Sequence, residues 1–367
     1  YALSFQGTVR AFHDAARSGK PVDPRFGPEA GLEVSKALAA TLDRLPALKA
    51  PQIPAQTRKP QPRALVIGGT GFIGRHLTRA LVARGTDVRV LSRGRTGPFA
   101  DLPDQVETVG VSLKDAQGLR AAMEGIEVVY NLARSLEDTW EAALENDVGV
   151  AMGIARAAQD AGVQRLVYTG TIASYDMSDP GQTITEATSF GDDLTDRNLY
   201  ARSKAECERQ LMQMHRDTGL PLTIARPGIV VGHGGPLQHW GIGRWHGAGA
   251  VKIWGKGRNI LPFVLIEDVC DGLIAMGEHP DAVGESFNLV GEPMMSAQDY
   301  FDAIHDALGA RIRVSPGNLH LFWMADAVKY RLKRHVLGRK GAIRASLRDW
   351  KSRAHLSPFD NSRPKAV

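Results

Sequence analysis

A short β-type run, Arg63-Ala-Leu-Val-Ile67, leads at once into Gly-Gly-Thr-Gly-Phe-Ile-Gly, residues Gly68 to Gly74. A helix predicted over Arg75–Ala83, a break at Gly85 and a second strand over Asp87–Leu91 complete one β–α–β unit. Few features restrict a chain more. Each glycine meets a separate need: a tight turn at Gly68, close approach of a pyrophosphate at Gly71, and close helix–strand packing at Gly74. Free backbone N–H groups and the positive end of the helix dipole then face the phosphates. The expected ligand is a dinucleotide, held by Gly68, Thr70, Gly71, Phe72, Ile73 and Gly74.

The end of the second strand bears on which dinucleotide. An acidic residue there would bind both ribose hydroxyls of NAD, but the sequence reads Ser92-Arg93-Gly94-Arg95. Ser92 offers no charge to repel a 2′-phosphate, and the Arg93 guanidinium can bind one bidentately. NADP(H) is therefore favoured; NAD(H) is the alternative, with both arginines merely solvated. Further strands are predicted at Val106–Val111, Glu127–Leu132 and Leu166–Thr171, with helices between them, including Val148–Ala161. This alternation implies an α/β fold: a doubly wound parallel sheet of Rossmann type.

A second constellation begins at Tyr200, where the chain reads Tyr-Ala-Arg-Ser-Lys204 at the start of a helical stretch. Residues four apart share a helix face. A phenol serves as a base near neutral pH only beside a cation, and Lys204 supplies one. Thr171, expected at the end of its strand, lies where open α/β sheets build their sites. Its hydroxyl can donate to the oxygen that Tyr200 protonates or deprotonates; the alternative role is a strand cap.

Together these residues resemble the extended short-chain dehydrogenase/reductase family, the NAD(P)-dependent epimerase, dehydratase and reductase type. The likeness runs over residues 63–367 and rests on GGTGFIG, VVYNLA (Val128–Ala133), ENDVG (Glu145–Gly149), AGVQRLVYTGTIASY (Ala161–Tyr175), YARSKAECE (Tyr200–Glu208), ARPGIVVG (Ala225–Gly232) and FNLVGEP (Phe287–Pro293). It implies Thr171, Tyr200 and Lys204 as catalytic residues. Asn131, Leu132, Ala133 and Pro227 would line the cofactor alongside Tyr200 and Lys204, and a homodimer is the family's common state. The departures also matter. Ile172-Ala173 stand where dehydratases carry Asp-Glu, and Leu261 stands where many nucleotide-sugar epimerases carry an arginine, with Arg258 three residues earlier. The expectation is an NADP(H)-dependent oxidoreductase acting at a secondary alcohol or ketone of a nucleotide- or lipid-linked sugar. Alternatives are a sugar epimerase, a steroid or other apolar-alcohol dehydrogenase, and a non-catalytic cofactor-binding scaffold.

The substrate lobe is expected mainly at 231–262 and 290–367, with the cofactor part at 63–230. Trp240, Trp245 and Arg258 are its candidate substrate contacts. Three nearby histidines, His233, His239 and His246, lack the spacing of a metal set. From Arg311 onward there are 14 Lys+Arg against 3 Asp, so a whole-chain charge of +5 resolves into an acidic body and a basic tail. That division argues against nucleic acid as partner. A basic amphipathic helix over 319–340, with Phe322 and Trp323 at its start, is a candidate for peripheral membrane contact.

Residues 46–62 hold five prolines and read as an extended linker. Ahead of it, helices are predicted at Thr8–Arg17 and Leu32–Leu45. The stretch 1–45 resembles the closing segment of the glucose–fructose oxidoreductase/inositol dehydrogenase family, which implies a remnant of a fused upstream oxidoreductase. Cys207 and Cys270 lack metal or redox spacing and read as buried reduced thiols of a cytoplasmic protein.

Overall fold

The computed structural model describes residues 13–15, 17–19, 28–42, 53–92, 97–247, 249–309, 312–339, 341–355 and 357–366. The chain divides into two units, residues 1–53 and 54–367. In the first, residues 13–15 and 17–18 are helical, and helix α1 runs Pro28–Leu42. It starts a turn earlier than predicted, because proline is well tolerated in the first helical turn. Residues 8–12, 16 and 43–45 of the two predicted helices lie outside the described residues.

The second unit opens with the second half of the proline-rich segment, extended and strapped to the body. Its prolines keep residues 54–62 extended, and polar groups pin them to the body. The Thr57 amide and hydroxyl donate to Asp104 (2.6 and 2.5 Å), and Arg58 makes a two-pronged ion pair with Asp87 (2.5 and 2.7 Å). The Gln61 amide donates to Asp87 as well, at 2.7 Å.

Strands β1 (Ala64–Ile67), β2 (Val88–Ser92), β3 (Val106–Gly110), β4 (Val128–Asn131), β5 (Arg165–Thr169), β6 (Leu222–Pro227) and β12 (Ser286–Leu289) form one parallel sheet. Its order is β12-β6-β5-β4-β1-β2-β3, so the winding reverses between β1 and β4. Apolar side chains leave both faces of these strands, as a sheet covered on two sides requires. One face meets α3 (Ala116–Ala122), α5 (Gly149–Asp160) and α6 (Leu199–Thr218) through Leu119, Ile154, Cys207 and Leu211. The other meets α2 (Phe72–Ala83) and α7 (Ile266–Glu278) through Leu77, Leu81, Val269 and Leu273. Burial pushes the Cys207 and Cys270 thiols up to about 12. The helix predicted over 148–161 is preceded by a short one, α4 (Trp140–Ala143), and a wide π-type turn, Leu144–Val148.

The smaller lobe is built on β7 (Ile229–Val231), β8 (Gly243–Trp245), β9 (Ala250–Trp254), β10 (Ile260–Leu261), β11 (Phe263–Leu265), β13 (Met295–Ser296), α8 (Ala297–Leu308) and β14 (Arg313–Gly317). Then come α9 (Leu319–Arg331) with a wide last turn, Leu332–Val336, and the short helices α10 (Leu347–Ser352) and α11 (Ser362–Ala366). Phe322 and Trp323, at the start of α9, pack inward against Trp254, Ala345 and Trp350. Helix α9 is apolar on two opposite sides, so sequence periodicity alone does not say which side the lobe takes.

Part of the basic tail is a latch. Arg348 pairs with Asp176 (3.2 Å), Lys365 with Glu292 (2.9 Å), and Arg363 with Glu285. Asp349 holds Arg197 at 3.2 Å and Arg353 at 2.8 Å, and accepts from Asn198, the N-cap of α6. Part of the charge asymmetry seen in the sequence is thus taken up in contacts between the tail and an acidic body.

Candidate active site

The glycine turn sits at the point where the sheet order reverses, where open α/β sheets form a crevice at their strand ends. Gly68 has φ of +81°, a left-handed conformation that side chains disfavour, and a Cβ there would press on the Leu132 backbone at 3.3 Å. At Gly74 a Cβ would lie 2.5 Å from the Gly69 Cα, so the start of α2 can approach the turn only without a side chain. Gly71 is the N-cap of α2 and provides no side-chain acceptor to the first-turn N–H groups. Those donors, the dipole of a twelve-residue helix and the bare floor at Gly71 suit a pyrophosphate. The residues present therefore fit a dinucleotide.

The other predicted cofactor residues border the same edge. Ser92 ends β2, and Asn131 ends β4 with its Oδ1 accepting from the Ala133 amide at 3.1 Å. Pro227 ends β6, buried. Arg93 lies outside the described residues. A loop of the smaller lobe reaches over the start of α2: the His233 carbonyl meets His76 Nε2 at 2.9 Å, and the Gly234 carbonyl accepts from Arg75.

Thr171 lies two residues beyond β5, not within it, and is buried as the N-cap of a single 3-10 turn, Ile172–Ser174. Its Oγ1 accepts from the Ala173 amide at 3.2 Å, which leaves the hydroxyl proton available to another acceptor. Tyr200 stands half-buried in the first turn of α6, whose N-cap, Asn198, accepts from the Ala201 amide at 3.1 Å. One turn on, Lys204 is 2% exposed. Its Nζ donates to the Tyr168 hydroxyl at 3.1 Å and to the carbonyls of Ala133 and Thr169, both at 3.5 Å. Asp147 Oδ1 lies 3.9 Å away, while its other oxygen accepts from Ser203 at 2.8 Å. A buried ammonium needs such company. Lys204 thereby joins the ends of β4 and β5 to the helix that carries Tyr200.

Beneath Thr171 is a second buried network. Glu208 pairs with Arg226 at 2.7 Å, and Arg226 Nη1 donates to the Tyr175 hydroxyl at 2.6 Å. That hydroxyl donates in turn to Asn288 Oδ1 at 2.7 Å. Burial raises the Glu208 carboxyl above its ordinary range, with the Arg226 charge opposing, and pushes the Tyr175 phenol up to about 12. Arg197 fixes the turn after Thr171 by donating to the carbonyls of Ala173 (2.8 Å) and Tyr175 (2.9 Å). Sequence reasoning did not single out Asp147, Tyr168, Glu208 or Arg197 for these roles. Asp147, Tyr168 and Glu208 did fall inside the quoted motifs, and Glu208, one turn after Lys204 on the same helix face, was the available signal.

The candidate substrate residues are dispersed. Trp245 is taken up by lobe packing, its ring 5.7 Å from Phe301. Trp240 is more than half exposed and stands edge-on to the buried Trp254 at 5.1 Å. Arg258 is exposed. A cavity of about 520 Å³ adjoins the start of α6, lined by Thr195, Asp196, Arg202, Trp323, Tyr330 and Arg344 among others.

Residues 64–290 match the family described as NAD dependent epimerase/dehydratase. A 3-beta-hydroxysteroid dehydrogenase of Mycolicibacterium neoaurum is 26% identical over 231 residues, 59% of this chain and 61% of that protein. A UDP-glucose 4-epimerase of Mycolicibacterium smegmatis is 30% identical over 268 residues, 68% of this chain and 83% of that protein. The structure of the Thermus thermophilus UDP-glucose 4-epimerase in complex with NAD has a TM-score of 0.55 at 20% identity, covering 83% of this chain and 92% of that one, a likeness of fold alone. For the first three curated relatives the chain spans 61, 51 and 48% of their length. The matched stretch takes in all seven strands of the central sheet, the glycine turn and α6, more than half of the sequence: this chain belongs to the NAD dependent epimerase/dehydratase family.

Proposed function

We propose that this protein is an NAD(P)-dependent oxidoreductase acting at a secondary alcohol or ketone, with Tyr200 as the acid/base. The observation that carries this reading is the buried Lys204, fixed to the ends of β4 and β5 one helical turn from Tyr200. A nicotinamide dinucleotide held by Gly68–Gly74, Asn131–Ala133 and Pro227 would supply the redox chemistry. In the oxidative direction the substrate O–H proton passes to the Tyr200 phenolate; in reduction the phenol returns it to the developing alkoxide. The Thr171 hydroxyl donates to the same oxygen and orients it. The Lys204 ammonium can also hold the nicotinamide ribose in place of one of its 3.5 Å carbonyl contacts. Asp147 and Tyr168 keep that ammonium in place.

The absence of a carboxylate at the end of β2 supports NADP(H) over NAD(H). Greater thermal stabilisation by NADPH than by NADH is expected, and the reverse order would overturn that preference. For the substrate, a nucleotide- or lipid-linked sugar is the first reading. An apolar alcohol such as a steroid is the second, favoured by the exposed Trp240 at the edge of the aromatic cluster of Trp254, Phe322 and Trp350. Product analysis separates oxidoreductase from epimerase: stoichiometric change in the dinucleotide is expected, whereas turnover without net change would mean epimerisation. Tyr200→Phe should lower kcat by about 10²–10⁴-fold and leave dinucleotide affinity intact. Undiminished turnover would remove Tyr200 from the chemistry.

A further inference from the structure

Helix α9 carries an apolar face that none of the described residues covers. At about 100° per residue, Leu319, Phe322 and Trp323 fall on one side of the helix and Leu321, Met324, Val328 and Leu332 on the other. The former set packs against Trp254 and Trp350. The latter faces outward, with exposures of 63, 58, 60 and 50%, and the wide last turn extends it through Val336 at 72% and Leu337 at 64%. Six large apolar side chains in one exposed strip are unusual on a surface that meets only water.

The charge around the strip narrows what covers it. Residues 319–339 contain Lys329, Arg331, Lys333, Arg334 and Arg339 against a single acid, Asp326. Lys333 and Arg339 share Asp138, at 3.7 and 3.0 Å. Lys329 and Arg331, which edge the strip, have no acidic partner among the described residues. A second copy docked by twofold symmetry would set this cationic surface against itself, with like charges opposed. An anionic lipid surface satisfies the apolar strip and the basic edges together.

We propose that α9 seats this protein on anionic membrane surfaces. Its apolar strip lies at the headgroup–acyl boundary, and Lys329 and Arg331 meet lipid phosphates. Among the described residues no helix is long and apolar enough to cross a membrane, so the contact is with one leaflet. The inner side of the same helix lines the 520 Å³ cavity through Trp323 and Tyr330, which sets that cavity beside the bilayer.

Vesicle co-sedimentation of the full chain tests this, with phosphatidylcholine alone against phosphatidylcholine mixed with phosphatidylserine. Binding to the mixed vesicles, several-fold weaker in high salt, is expected, with little on the neutral ones. Val328→Glu with Leu332→Glu, on the outer face, should abolish it. Lys329→Glu with Arg331→Glu should weaken it by at least about tenfold. Both double variants should keep the far-ultraviolet dichroism and dinucleotide affinity of the parent, so loss of binding is not loss of fold. Equal binding to both vesicle types, or unchanged binding by the variants, overturns the proposal. So does a stable dimer in sedimentation velocity that the Val328/Leu332 variant dissociates.

Discussion

The residues with the most at stake are the buried charges under the crevice. Glu208 and Arg226 sit in a low-dielectric interior where each is tolerable only with the other. Removing one partner strands the other, so Glu208→Ala should destabilise the fold by about 3–5 kcal/mol in urea denaturation. A loss below about 1 kcal/mol would mean that water reaches Arg226. Thr171, Tyr200 and Lys204 were legible in the sequence because spacing and position relative to the glycine turn single them out. Their supports were not. Lys204 meets Asp147 from the turn before α5 and Tyr168 from β5, and Arg197 meets Asp349 from the far end of the chain. Such pairs exist only once the sheet has ordered its strands.

Secondary-structure elements were read well where apolar periodicity was strong and less well at their ends. The predicted strands β1 to β5 each appear within two residues of the expected limits at either end, and Thr171 fell outside its strand because it caps the 3-10 turn Ile172–Ser174. The segment before β1 is extended, as its prolines predict, but its attachment to the body was not legible. Proline-rich composition predicts extension but says nothing of the acids it will meet, and Asp87 and Asp104 turn its second half into a strap. Asp87 is held below the ordinary carboxylate range, first by the hydrogen bond from Arg58 and further by the Gln61 amide. A lowered carboxylate contributes stability that is complete above its usual titration range and lost as pH falls through the depressed value. Acidification below about pH 4 should therefore release the strap. Asp87→Asn should flatten this part of the acid dependence of the urea midpoint, and an unchanged profile would show that the strap contributes nothing.

At the scale of the whole molecule, the parallel sheet and its reversal between β1 and β4 follow from the alternation of strands and helices, and the crevice follows from the reversal. The disposition of the basic tail did not follow. Net charge counts residues without pairing them, and five cations of this tail prove to be clasped to acids of the body. Among the described residues, Lys329 and Arg331 at the outer edge of α9 are among the cations that this clasp leaves without an acidic partner.

The central claim, that the crevice at the sheet reversal holds a nicotinamide dinucleotide, can be tested without knowing the substrate. Fluorescence titration of NADPH and NADH against the parent chain and Gly74→Ala is the direct measurement. A Cβ at residue 74 would strike the turn backbone, so the variant must push the start of α2 away from the phosphate cradle. Saturable binding by the parent, weakened at least about tenfold in a variant that stays folded, is the predicted result. No binding by the parent, or equal binding by the two, would contradict it.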